Sequence, residues 1–70
     1  MIDIIIRRYK EQSQAAQRCF EAFERTGNQI DRESWHAHLE QWWELREALE
    51  EYGYSPIECD KMEIEALESM

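Results

Sequence analysis

Taken at about 100° per residue, Ile2, Ile5, Ile6, Tyr9, Ser13, Ala16, Cys19, Phe20 and Phe23 fall on one arc of a helix. Arg7, Arg18, Glu21 and Arg25 fall largely outside it. The spacing predicts one amphipathic helix over about residues 2–26. It should close at Thr26-Gly27-Asn28, where Gly and Asn tolerate the left-handed conformation that ends helices. Asp31 can cap the next set of free amides, with Ile30 and Trp35 as a hydrophobic staple, so a second helix is expected over about 32–52. Gly53 stops it. Ser55-Pro56-Ile57-Glu58 then combines a cap, a proline at the first helical position and the Glu of a capping box, and predicts a third helix over about 56–68.

The second and third helices carry more apolar surface than one neighbour can cover. Trp35, Leu39, Trp42, Trp43, Leu45, Leu49 and Tyr52 occupy roughly half the circumference, where a single partner needs about 100°. In the third helix Ile57, Ile64 and Leu67 lie on one side, and Cys59, Met62 and Ala66 nearly opposite. The fold class expected is all-α: an antiparallel helical hairpin with a short third helix across it, within a single domain. A register pairing Phe23 with Trp35, Phe20 with Leu39, Ala16 with Trp42, Tyr9 with Leu49 and Ile5 with Tyr52 sets small residues against large ones. It also brings Arg7, Arg8 and Lys10 toward Glu47, Glu50 and Glu51. At 70 residues a single-chain core is small, and oligomerisation commonly adds to it. Trp42 and Trp43 are adjacent and cannot both face the first helix, so a homodimer is expected to pack through Ile5, Tyr9, Phe20, Trp42 or Trp43, and Leu49.

Charge changes the picture next. Residues 1–30 hold five basic side chains against four acids, a net of +1; residues 31–70 hold three against twelve, a net of −9, giving the total of −8. Direct binding to DNA or to anionic lipid needs clustered Lys and Arg and is not expected. Glu40, Glu44, Glu47 and Glu51 follow at spacings of four, three and four on the face opposite the tryptophans, and Glu33 extends the row. Like charges at such spacings weaken a helix by a few tenths of a kcal/mol each, and few lysines are present to relieve them. A row of this kind resembles a run of phosphates to a basic protein. The alternative is a helix face that only solvates, with partner docking left to the third helix.

Catalytic parts are few. His36 and His38 point in different directions, and Ser34 has no third group or glycine-rich elbow to activate it. Glu33 and His36 have the Glu-x-x-His spacing of a di-iron bundle, but the facing helix offers Ile, Ala and Phe where further Glu ligands belong. No enzyme, metal or cofactor is expected. The opening Met1 to Arg8 is too short and too soon charged for a signal peptide or a membrane span. Cys19 and Cys59 are therefore expected as reduced thiols in a cytoplasmic protein.

A short, acidic, tryptophan-containing helical hairpin of this kind resembles the small accessory proteins encoded in the early regions of temperate, lambda-like bacteriophages. The resemblance is one of length, charge and pattern over the whole chain, and it transfers no functional residue. It implies a non-enzymatic regulatory protein that binds a host or phage factor and shifts the balance between lysis and lysogeny.

Overall fold

A computed structural model describes the chain from Met1 to Met70. It is all-α, with α1 (Ile2–Thr26), α2 (Gln29–Tyr52) and α3 (Pro56–Glu68). At 1.5 Å per residue α1 is about 37 Å long, and the longest dimension of the molecule is 38 Å. The body is thus one helix long, with α2 folded back along α1 and α3 laid on the open end of the hairpin.

The turn between α1 and α2 is two residues. Gly27, in the left-handed region at φ 65°, donates its N–H to Phe23 O at 2.7 Å and ends α1. Asn28 Oδ1 then accepts from the Ile30 N–H at 3.0 Å and starts α2. This corrects the expected start at Asp31: the left-handed residue reverses the chain at once, and Asn28, an equally good cap, comes first. Asp31 instead accepts the Thr26 hydroxyl at 2.8 Å. The Ile30–Trp35 staple does not form, because Ile30 lies inside the first turn and is 68% exposed. At α3 the capping box is present as expected: Ser55 Oγ accepts from the Glu58 N–H at 3.2 Å, and Glu58 Oε1 accepts from the Ser55 N–H at 3.3 Å.

Each helix contributes one fully buried side chain to the centre: Tyr9, Leu49 and Cys59. Ile2, Ile5, Ile6, Trp42, Leu45, Tyr54 and Met62 pack around them. At the closed end of the hairpin Trp35 stacks on Phe23 with ring centroids 6.4 Å apart, as the register requires, and Phe20 tilts against the same indole at 4.8 Å. Tyr9 shares the core with Leu49 and also stacks on Trp42 at 5.6 Å.

α3 is tied mainly to α1. Tyr9 donates its hydroxyl to Cys59 O at 3.1 Å, Gln14 Nε2 donates to Ala66 O at 2.8 Å, and Lys10 meets Glu65 at 3.5 Å. These ties overturn the expected pairing of the basic cluster with Glu47, Glu50 and Glu51. Lys10 faces α3, Arg7 pairs within its own helix with Glu11 at 3.9 Å, and Arg8 forms no ion pair. The two faces of α3 separate as their spacing suggests: Cys59 and Ala66 are buried, while Ile57 and Ile64 are 74% and 55% exposed.

Of the residues named for a dimer or packing interface, Tyr9 and Leu49 are wholly covered within one chain. Ile5, Phe20 and Trp42 are partly covered. Trp43 alone stands mostly in solvent, 55% exposed.

Candidate interaction surface

α2 is uninterrupted by Gly or Pro from Gln29 to Tyr52, so its heptad-like spacing of glutamates becomes a continuous strip. Glu33, Glu40, Glu44, Glu47 and Glu51 are all exposed. None of them forms an ion pair. Shallow hollows follow one another along the strip. Glu33 and Glu40 share the first with Arg32 and His36; Glu44 shares the next with Arg8, Glu11 and Gln12; Glu47 and Glu51 share the last with Glu50 alone. Negative charge is densest toward the C-terminal end of α2, where three carboxylates line one hollow and only Glu50 among them meets a base, Arg46.

Arg46 leaves Glu47 and Glu51 unpaired, and its remaining contacts go to the tryptophans and to α3. Its guanidinium lies 5.4 Å from the centre of the Trp42 ring and 6.0 Å from that of Trp43. It donates to Asp60 Oδ1 at 2.9 Å, Glu50 Oε1 at 3.4 Å and Pro56 O at 3.4 Å, which joins α2 to the start of α3. Its side chain is only 13% exposed. Burial opposes the charge, but the Asp60 hydrogen bond and the neighbouring Tyr9, Asp60 and Glu50 outweigh it and hold the guanidinium above its usual pKa. Arg46 was not singled out by spacing; adjacency to two tryptophans was the only available signal.

Three further groups are perturbed, among them the Cys59 thiol, which burial pushes up. Burial pushes the Tyr9 phenol from 10.0 up to about 12, against a smaller opposing effect of Arg46. Burial also raises the Glu63 carboxyl, helped by the charge of Asp60 and opposed by Arg46. Glu63 has no ion-pair partner and lines a cleft between the three helices. No pattern in the sequence distinguishes it from the other acids of α3.

The residues weighed for metal or catalytic chemistry do not converge. His36 is exposed and packs edge-on against Trp35 at 5.0 Å, whereas His38 Nδ1 lies 2.6 Å from Gln12 Oε1 on α1. No group of three or more His, Cys, Asp or Glu side chains comes together in a metal-binding arrangement. Both cysteines are free, Cys59 in the core and Cys19 partly covered. No helix is long and apolar enough to cross a membrane.

No family model, curated protein or solved structure matches this chain.

Proposed function

We propose that this chain is a non-enzymatic, cytoplasmic protein-binding module that meets a basic protein through the acidic strip of α2. One observation carries the reading: Glu33, Glu40, Glu44, Glu47 and Glu51 are all exposed without counter-ions, while Arg46, Lys10 and Arg7 pair with other acids. A helix with fewer like charges in a row would be more stable, so a strip of one sign is better suited to a ligand than to solvation. A partner that ordinarily holds nucleic acid offers the complementary potential, and the strip competes for it by imitating phosphates. The likeness to phage early-region proteins extends the proposal to regulation of a host or phage factor in the decision between lysis and lysogeny.

The test is binding to protamine, a purely basic probe, followed between about 50 and about 300 mM salt, where screening of exposed charges becomes strong. We expect affinity to collapse over that range and to vanish when Glu40, Glu44 and Glu47 are all changed to Lys. Binding that ignores both salt and charge reversal refutes the reading.

A second reading is favoured by the exposure of Ile57 and Ile64, 74% and 55%. There α3 docks by apolar contacts as an oligomerising adaptor, and the strip only solvates. Homodimerisation belongs to both readings, with Trp43 the member of the expected interface still open to a second copy. Light scattering over a dilution series decides it: a mass of one chain at all concentrations removes the dimer.

A further inference from the structure

Between α1, α2 and α3 lies a cleft of about 110 Å³. Ala16 forms part of its lining from α1, Trp35, Leu39 and Trp42 from α2, and Leu67 and Glu63 from α3. Its walls thus combine five apolar side chains with the polar Ser13 and Gln17 of α1, and its only ionisable lining group is one carboxylate.

The cleft sits one turn along α3 from a junction the chain completes for itself. There Asp60 receives Arg46, whose guanidinium also lies against the indoles of Trp42 and Trp43. Three positions on, Glu63 meets no such base, because the side chains that α2 contributes are Trp35, Leu39 and Trp42. The Glu63 side chain is partly covered and forms no ion pair, while its carboxylate still reaches solvent, so it is free to accept from an incoming cation. Long basic side chains suit such a place, since their methylene stems cover apolar walls while the charged head reaches an acid. Arginine suits it better than lysine, because a guanidinium is less strongly hydrated, lies readily against aromatic rings and can meet a carboxylate with two donors.

We infer that this cleft is a receptor for one arginine side chain of the basic partner, with Trp35, Leu39 and Trp42 covering the stem and the Glu63 carboxylate accepting from the guanidinium. This rests on the reading of the protein as a binder of basic proteins, and gives that binding a point of anchorage apart from the exposed strip. The cleft lies on the tryptophan side of α2, opposite the strip, so the strip attracts at a distance while the cleft separately holds one side chain in place. The raised pKa of Glu63 in the free protein is consistent with this, since burial and the charge of Asp60 outweigh Arg46 and disfavour the anion that an incoming guanidinium would favour.

The experiment uses the full chain and a single-charge probe, acetyl-arginine methylamide, with its neutral citrulline counterpart as control. Binding is read from the indole N–H resonances of the three tryptophans in proton–nitrogen correlation spectra. We expect saturable shifts at Trp35 and Trp42, with Trp43 unmoved, and no saturation with the citrulline probe. Glu63→Gln, which keeps the shape of the side chain, should weaken arginine about tenfold to a hundredfold, the range for a hydrogen bond to a charged group. Its thermal midpoint, measured alongside, should be no lower than that of the parent chain. Shifts that persist in Glu63→Gln, shifts confined to Trp43, or equal binding of both probes overturn the proposal. The Glu40, Glu44 and Glu47 triple reversal separates the two ideas. If it abolishes protamine binding while Glu63→Gln leaves the arginine titration unchanged, the cleft proposal fails and the strip stands. If only Glu63→Gln matters, the cleft stands and the strip fails.

Discussion

Replacing Tyr9 by Phe should make the protein less stable at neutral pH and more stable in strong alkali. Tyr9 is fully buried and donates to Cys59 O at 3.1 Å, across 50 residues of chain from α1 to α3. Loss of a neutral hydrogen bond of this kind costs about 1 kcal/mol, since the Cys59 carbonyl is an α-helical one with a second partner in its own helix. In a chain of this size that lowers the melting point by about 4–8 °C.

The alkaline limb runs the other way. The phenol ionises near 10.0 when unfolded and at about 12 when folded. Above pH 10 the unfolded state releases its proton while the folded state retains it, so stability is lost as pH rises toward 12. At about 1.4 kcal/mol per pH unit of difference, the parent chain has lost about 1.4 kcal/mol from this group at pH 11 and somewhat over 2 kcal/mol near pH 12. Tyr9→Phe has no such loss. The two stability profiles should therefore cross between about pH 10 and 11.5, where the titration loss overtakes the missing hydrogen bond. Urea unfolding of both proteins at intervals from neutral pH to pH 11.5 reads the difference directly, and effects on other groups are common to both. Parallel profiles that never converge would show that Tyr9 does not titrate as a buried phenol, and that α3 does not seal it.

Further outcomes follow from the same geometry. Leu49→Ala empties the centre of the core and should cost about 2–5 kcal/mol, a large share of the ~4–10 kcal/mol expected for a domain of this length, as measured by urea unfolding. Glu63→Gln should stabilise at neutral pH. Its folded pKa lies above the ordinary 4.5, so the parent chain loses stability as pH rises from 4.5 through that higher value, and a flat difference between the two across this window in thermal melts would contradict it. Gly27→Ala should cost about 1 kcal/mol, all of it backbone strain at φ 65°, since nothing lies within 4 Å of an added Cβ; Gly27→Asn should recover most of the loss in the same melts.

Much of the hairpin was legible in the sequence because its signals are local. The apolar arc of α1, the closing Gly27 and the Ser55–Glu58 box act within a few residues, and each appears in the structure where the pattern puts it. The start of α2 was misplaced because Asn28 and Asp31 are chemically equivalent caps, and only the sharpness of the Gly27 turn chooses between them. Phe23 against Trp35 was readable from size complementarity near the turn. The fate of Lys10 was not, since a two-helix register takes no account of where a third helix lies, and α3 captures it through Glu65. The acidic strip was visible from spacing alone. Arg46 and Glu63 were not, because their roles depend on α3 crossing both other helices, and no spacing within one helix contains that crossing.

The placement of α3 also sets an order of events in time. Phe23 and Trp35 are near in sequence and face each other across a two-residue turn, so closing that end of the hairpin costs little loop entropy. The ties of α3 to α1 run from Tyr9 to Cys59, Gln14 to Ala66 and Lys10 to Glu65, separations of 50, 52 and 55 residues. Contacts of that span gain most once the hairpin has already brought the N-terminal half of α1 alongside the end of α2. The chain is therefore expected to zip outward from Gly27 and to fasten last at its two ends, with the same clasp the first to open. Amide protons of α3 should accordingly exchange ahead of those in the middle of α2, because the element that completes the core is also the one held to it by the longest loops.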